Sequence, residues 1–295
     1  MKRASEIQFV KMCGAGNDFI LIDNRSEKIQ IDWERFALRY CNRRYGIGAD
    51  GLLVLEKSTL ADVLMLYFNA DGSSGSMCGN GGRCVARFLL DRLPTDRLST
   101  ISIESCDHVY HAKEHNSKIQ LQMKDPQIIE PNGSITIQHK SIKYSYIDSG
   151  SPHVVIFIND LDKFFVEMIR RDGIADLGKE IRDHERFYPG GTNVNFVETL
   201  KERAIRIRTF ERGVEAETLA CGTGAVACTI ALTLRNESGP PIEVLTASNE
   251  QLEVSFIRNG NKYANTILTG NAETIYFGTV DLREIRNYDS IGITR

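Results

Sequence analysis

Apolar residues fall in short runs along most of the chain. The runs Ile20–Asp23, Leu52–Leu55, Val63–Phe68, Ile101–Glu104, Ile119–Met123, Val154–Ile158, Ile205–Phe210, Leu252–Phe256 and Ala264–Leu268 are of strand length and rich in β-branched or aromatic residues, so they predict strands. Helical periodicity is rarer. Trp33, Phe36, Ala37, Tyr40 and Cys41 follow the i, i+3, i+4, i+7, i+8 pattern behind Asp32, a side chain suited to capping. Two more helices are expected just after Cys-Gly-x-Gly turns, over Arg83–Arg92 and Ala225–Arg235, and two others over Phe164–Arg170 and Leu177–Glu185. Many short strands with few helices predict an α+β class.

The pattern repeats. Tyr45-Gly-Ile-Gly-Ala-Asp-Gly-Leu-Leu-Val54 matches Tyr188-Pro-Gly-Gly-Thr-Asn-Val-Asn-Phe-Val197 at an offset of 143, and Met77-Cys-Gly-Asn-Gly81 matches Ala220-Cys-Gly-Thr-Gly224 at the same offset. Gly16-Asn-Asp-Phe-Ile-Leu-Ile-Asp23 resembles Gly150-Ser-Pro-His-Val-Val-Ile-Phe157 at a slightly different one. A two-copy duplication predicts two pseudo-symmetric lobes, each a curved, mostly antiparallel sheet wrapped around a central helix. The expected active site is the cleft between them. The expected boundaries are residues 1–124 and 125–270, with the segment from about 270 to 295 returning to the first lobe. Asp125–Gly133, with two prolines, is the expected hinge.

Composition narrows the class. The 295 residues are 42% apolar and 25% charged with a net charge of −3, which excludes a disordered chain and argues against a nucleic-acid partner. No apolar run approaches the roughly 18–20 residues of a membrane span. Met1–Phe9 has a charged start but no apolar core of a signal peptide. Seven scattered cysteines argue against a disulfide framework and for a reducing compartment. A cytoplasmic protein with neither nucleic-acid nor membrane partners is expected.

Several motifs dissolve on inspection. Gly46-Ile-Gly-Ala-Asp-Gly51 satisfies G-x-G-x-x-G, but it follows a helix and precedes a strand, the reverse of a dinucleotide site. Its glycines are expected to supply positive φ or close approach. His184-Glu185 lacks the second histidine of a zinc protease helix, since residue 188 is Tyr. The cysteine spacings fit no zinc knuckle. No metal is expected.

The two Cys-Gly-x-Gly turns carry chemistry. A glycine-rich turn opening a helix leaves N–H groups unpaired at the positive end of the helix dipole, a cradle for a carboxylate. A cysteine there is expected to acidify: a drop from about 8.5 to about 7 raises the thiolate fraction at pH 7 from about 3% to half. Cys78 and Cys221 are therefore candidate thiolates, whereas Cys13, Cys41, Cys84, Cys106 and Cys228 read as core or incidental thiols. Two such thiols flanking a carboxylate could form a reversible disulfide. Alternatively, they could act as acid and base on opposite faces of one carbon, each sulfur about 3–3.5 Å from it. The second gives racemisation or epimerisation.

Gly14-Ala-Gly-Asn-Asp-Phe19, Phe68-Asn-Ala-Asp-Gly72, Cys78-Gly-Asn-Gly-Gly-Arg-Cys84, Gly150-Ser-Pro-His153, Glu211-Arg-Gly213 and Ala220-Cys-Gly-Thr-Gly-Ala225 together resemble diaminopimelate epimerase, in order and across nearly the whole chain. The resemblance implies a cofactor-independent, homodimeric enzyme that converts LL-2,6-diaminopimelate to the meso form in lysine and peptidoglycan biosynthesis. It further implies Cys78 and Cys221 as the acid/base pair, with His153 and Glu211 adjusting thiol pKa values. Gly79, Asn80, Gly222 and Thr223 then match the carboxylate cradle, and Asn17, Asn69, Asn193, Glu211 and Arg212 match substrate-holding groups. Ser151 and Gly51 depart from the commoner Asn and Gln, shortening a polar side chain at each position. Proline racemases and hydroxyproline epimerases share the Cys-Gly-Thr-Gly motif but usually carry His where this chain has Asn80.

Overall fold

The computed structural model describes residues 6–75, 77–93, 100–235, 239–260 and 262–281. The chain begins with β1 (Glu6–Gly14), β2 (Asn17–Asp23), α1 (Trp33–Tyr40), β3 (Gly51–Glu56), β4 (Val63–Asn69), α2 (Gly79–Leu90), β5 (Thr100–Ser105), β6 (His108–His115) and β7 (Lys118–Gln122). It continues through β8 (Gln127–Ile137), β9 (Lys140–Asp148), β10 (Pro152–Phe157), α3 (Lys163–Asp172), α4 (Ala175–Arg182), β11 (Asn193–Lys201), β12 (Ala204–Glu211) and β13 (Ala216–Thr218). Helix α5 (Gly222–Leu234) and strands β14 (Ile242–Leu245), β15 (Gln251–Asn259), β16 (Lys262–Gly270) and β17 (Glu273–Asp281) complete it. Contacts divide the chain into Met1–Ile119 with Asn271–Arg295, and Gln120–Gly270. Of the C-terminal segment expected to return to the first unit, β17 pairs antiparallel with β1, while residues 282–295 lie outside the described residues.

The two units share one order of strand pairing. In the first, β17–β1 and β1–β2 are antiparallel, β2–β3 parallel, β3–β4 antiparallel, β4–β5 parallel and β5–β6 antiparallel. In the second, β8–β9 and β9–β10 are antiparallel, β10–β11 parallel, β11–β12 antiparallel, β12–β14 parallel and β14–β15 antiparallel. The parallel steps are where helices intervene, since only a crossover can join parallel neighbours. Duplication is thus written into the topology, and the class is α+β.

Each sheet is covered on both faces. In the first unit Ile20, Ile22, Leu52 and Val54 pack with Phe36, Ala37 and Tyr40 of α1, while α2 touches β1, β2, β4, β5, β6 and β17. In the second, Val154, Ile156, Val194 and Phe196 pack with Phe165, Ile169, Leu177 and Ile181 of α3 and α4. Helix α5 is buried from Gly222 to Thr233 except at Thr223, as expected for an apolar helix enclosed on all sides. Strand alternation then turns the odd-numbered residues of β10 and β11, His153, Asn193 and Asn195, toward the α5 face.

Most of the expected hinge, Asp125–Gly133, is strand: the backbone from Gln127 onward pairs with β9, with register slips at Ile128/Glu130 and Glu130/Gly133. Pro131 falls within that irregular stretch, where a missing N–H costs little, and its carbonyl accepts from Ser145 Oγ at 2.8 Å. The Gly46–Gly51 loop is a helix-to-strand connection; Gly48 has φ +80°, and a Cβ on Gly46 would lie 2.5 Å from the Tyr40 carbonyl. Among the described residues no helix is long and apolar enough to cross a membrane.

Candidate active site

Both central helices start on a cysteine. Cys78 (φ −101°, ψ 114°) caps α2 and Cys221 (φ −124°, ψ 112°) caps α5, each in extended backbone. Each sulfur accepts from the N–H three residues on, Gly81 in one unit and Gly224 in the other, both at 3.4 Å. The helices therefore begin one turn earlier than apolar periodicity predicts, because Gly79-Asn80-Gly81 and Gly222-Thr223-Gly224 form the first turn. The first-turn N–H groups, which have no partner within the helix, and the helix dipole favour an anion beside each sulfur.

In the first unit the turn is braced by a polar chain. Asn80 Nδ2 donates to Asn17 Oδ1 at 2.5 Å, and Asn17 Nδ2 donates to Asp50 Oδ2 at 3.1 Å. Behind Asn80 lies Arg83, fully buried, whose Nη2 reaches Asn80 Oδ1 at 2.8 Å and whose Nη1 reaches the Gly79 carbonyl at 3.3 Å. Asp50 is held by Arg43 at 2.7 Å, and Arg43 also pairs with Asp18, which Lys11 meets at 2.7 Å. Burial pushes the Asp18 carboxyl up, but Arg43 and Lys11 overcome that and hold it well below the usual carboxylate range. Asn69 stands at the end of β4, its Nδ2 donating to Ser73 Oγ at 3.0 Å.

In the second unit the sulfur joins a histidine through a hydroxyl. Cys221 Sγ is 3.4 Å from Thr223 Oγ1, which is 2.9 Å from His153 Nε2. Ser151 Oγ also lies 3.0 Å from that nitrogen and 3.3 Å from Thr223 Oγ1. Asn193 donates to Ser151 Oγ at 3.3 Å and to the Pro152 carbonyl at 3.0 Å, and accepts from the Arg212 N–H at 3.0 Å. The exposed Arg212 guanidinium holds the Gly190 carbonyl at 3.1 Å. Glu211 Oε1 accepts from Thr218 at 2.6 Å.

Burial pushes the Cys221 thiol well up, and the neighbouring Glu211 carboxylate raises it further, while bonds from Thr223 and the Gly224 N–H offset part of this. The helix-start position alone predicted a lowered value. Desolvation outweighs it, so Cys221 rests as a thiol. Complete burial pulls His153 down to about 3, with the Arg212 charge acting in the same direction. His153 is therefore neutral at pH 7.

Of the residues singled out from sequence, Cys78, Gly79, Asn80 and Asn17 form one cluster, and Cys221, Gly222, Thr223, His153, Asn193, Glu211 and Arg212 form another. Asn69 has no hydrogen bond to Asn17 or Asn80. Ser151 bonds His153 directly and so takes an active place in its cluster. Sequence reasoning missed Arg83 and Asn195, both fully buried or nearly so. The Asn-x-Asn spacing within an apolar strand was the available signal, since it puts Asn195 on the same face as Asn193. His184, set aside as a metal ligand, accepts the Arg186 N–H at 3.1 Å and caps a short turn.

A family model for diaminopimelate epimerase matches residues 9–129 and 145–275. A diaminopimelate epimerase of Chlorobaculum tepidum is 40% identical over 276 residues, 92% of this chain and 100% of that protein. One of Aquifex aeolicus is 36% identical over 294 residues, 96% of this chain and 100% of that protein. Among solved structures, a hydroxyproline epimerase from Agrobacterium vitis with bound trans-4-hydroxy-L-proline aligns at a TM-score of 0.67 and 17% identity, covering 96% of this chain and 94% of that one. At that identity the likeness is one of fold.

Proposed function

The chain belongs to the diaminopimelate epimerase family and is an epimerase; on that premise we propose that it converts LL-2,6-diaminopimelate to the meso form by two-base proton transfer at Cα. Cys78 as thiolate takes the proton from the L centre, and Cys221 as thiol returns one from the opposite face; the reverse reaction exchanges the roles. The observation that carries this reading is the equivalence of the two sulfurs, each capping the central helix of its unit and accepting the N–H three residues on. Charge building on the substrate carboxylate is met by N–H groups of the Gly79-Asn80 and Gly222-Thr223 turns, where preorganised donors act most strongly. The upward push on Cys221 suits a proton donor, with Glu211 beside it to exchange the proton. Asn17, Asn69, Asn193, Glu211 and Arg212 hold the substrate, a guanidinium suiting its distal carboxylate and a carboxylate its distal ammonium. The chemistry uses no cofactor. The enzyme works as a cytoplasmic homodimer in lysine and peptidoglycan biosynthesis, as the family resemblance implies.

The test is turnover of LL-diaminopimelate in deuterium oxide. Meso product carrying deuterium at Cα is expected from the wild type, and none from Cys78→Ala or Cys221→Ala. Full activity in either variant overturns the mechanism, and turnover of proline in place of diaminopimelate overturns the substrate. Oxidation of the two thiols to a disulfide is expected to abolish turnover by tying up both acid and base, and reductant to restore it; an oxidised protein that still turns over contradicts the mechanism.

A further inference from the structure

We propose that Asn195 is a positioning residue that fixes His153 as its Nε2–H tautomer, so that Thr223 presents its hydroxyl proton to the Cys221 sulfur. Asn195 touches neither sulfur nor any substrate-holding group by hydrogen bond; it acts through the ring.

The amide orientation is set by its surroundings. Asn195 Nδ2 lies 3.2 Å from the Val154 carbonyl and 3.0 Å from His153 Nδ1. A carbonyl oxygen only accepts, so the amide atom between these two must be the nitrogen. At the other end Asn195 Oδ1 receives the Thr209 hydroxyl at 2.9 Å, which leaves no reason for the amide to turn over. His153, Asn195 and Thr209 are all buried, so water does not substitute for these bonds. An amide N–H aimed at Nδ1 requires a lone pair there. A neutral ring then carries its single proton on Nε2.

From Nε2 the direction of the remaining bonds follows. The ring N–H faces Thr223 Oγ1 at 2.9 Å and Ser151 Oγ at 3.0 Å. A threonine oxygen that accepts from the ring keeps its own proton for another partner, and Cys221 Sγ stands 3.4 Å away. In the other tautomer Nε2 would draw the Thr223 proton to itself, and Asn195 N–H would face Nδ1–H, two donors opposed in a buried site. A buried site disfavours such an arrangement, because neither N–H finds an acceptor. A hydroxyl donating to sulfur favours the thiolate over the thiol, so the relay Asn195, His153, Thr223 counteracts part of the burial that keeps Cys221 protonated. The consequence for turnover rests on Cys221 being a working acid/base group; the tautomer does not.

The experiment is imidazole 15N NMR of the full-length protein at pH 7, with His153 assigned by its absence in His153→Gln. The expected spectrum has an unprotonated Nδ1 and a protonated Nε2. A protonated Nδ1 in the wild type overturns the proposal without recourse to any variant. In Asn195→Leu, close in volume, the expected result is a mixture of both tautomers. The same variant is expected to lose about 10- to 100-fold in kcat with little change in KM, the scale typical of removing a group that orients a working side chain. A folded Asn195→Leu that keeps a pure Nε2–H ring also overturns it. If the wild type shows the Nε2–H ring but leaves diaminopimelate unchanged, the reaction assigned above fails while the tautomer stands.

Discussion

The amide oxygen of Asn195 lies 2.6 Å from the point where a Cβ on Gly224 would stand. No real Cβ tolerates that approach. Gly224→Ala is therefore expected to displace Asn195, to destabilise the protein by about 1–3 kcal/mol, and to cut turnover. In its counterpart Gly81→Ala the tightest contact is with Leu53 Cδ2 at 3.0 Å, the end of a flexible side chain. Relief there, with the helix preference of alanine, keeps the change within about 1 kcal/mol. Urea unfolding of the two variants measures the asymmetry; equal losses would contradict it.

His153 gives stability a pH dependence of known sign. Its value falls from 6.5 to about 3 on folding, so between those pH values the unfolded chain holds a proton that the folded chain does not. Stability from this group is full above pH 6.5 and is lost as pH falls toward 3, at up to about 1.4 kcal/mol per pH unit. In His153→Gln that slope disappears, and the gap between wild type and variant narrows on acidification. Denaturation midpoints at pH 7.5 and 4.5 check the sign.

Arg83 holds Asn80 in place from inside the core. Its Nη2 bonds Asn80 Oδ1 at 2.8 Å, and its other nitrogens reach the Gly79 carbonyl at 3.3 Å and the Asn271 carbonyl at 3.5 Å. Arg83→Met strands these acceptors, and a loss of about 3 kcal/mol is expected. Arg83→Lys, with a point charge in place of a planar fork, should fall between wild type and Met in thermal unfolding. A neutral Arg83→Met would show that the guanidinium is dispensable.

Glu211 sets the resting state of the Cys221 sulfur together with burial. Removing its charge in Glu211→Gln takes away one of the upward pushes, so Cys221 should ionise at lower pH. Thiolate absorbance near 240 nm, read as a difference against Cys221→Ser, follows this directly. Turnover should fall all the same, because an amide cannot take up the proton. A Cys221 that ionises at higher pH in Glu211→Gln would reverse the assigned direction.

Sequence made the parts built from contiguous runs legible. The runs with apolar faces on both sides, such as Leu52–Leu55 and Val154–Phe157, are strands in the structure, and each run with a 3.6-residue stripe is a helix. Strand β11 was hidden because Asn193 and Asn195 interrupt its apolar pattern, although buried partners make both residues suitable for the sheet. Strand β8 was hidden by Pro126 just before it and Pro131 within it, whose local preference is overridden by pairing with β9. The cysteine turns were legible because glycines around a cysteine are a local signal. Arg83 was not, since a buried cation depends on acceptors that only the folded chain assembles, one of them 188 residues away at Asn271. The fall expected for the Cys221 pKa was misjudged for the same reason: sequence displays the helix start but not the degree of enclosure.

Sulfur is an unusual choice for closing the first turn of a helix. Oxygen-bearing caps stabilise a helix by about 1 kcal/mol relative to residues without one, and at 3.4 Å each sulfur makes only a long contact to its N–H. Serine at position 78 or 221 would bond more tightly and give a sturdier but inert scaffold. Robustness and reactivity are thus opposed at the same two atoms. A screen that rewards heat tolerance alone would drift toward hydroxyl caps and discard the thiols, so stabilising variants of this fold need to be selected under turnover.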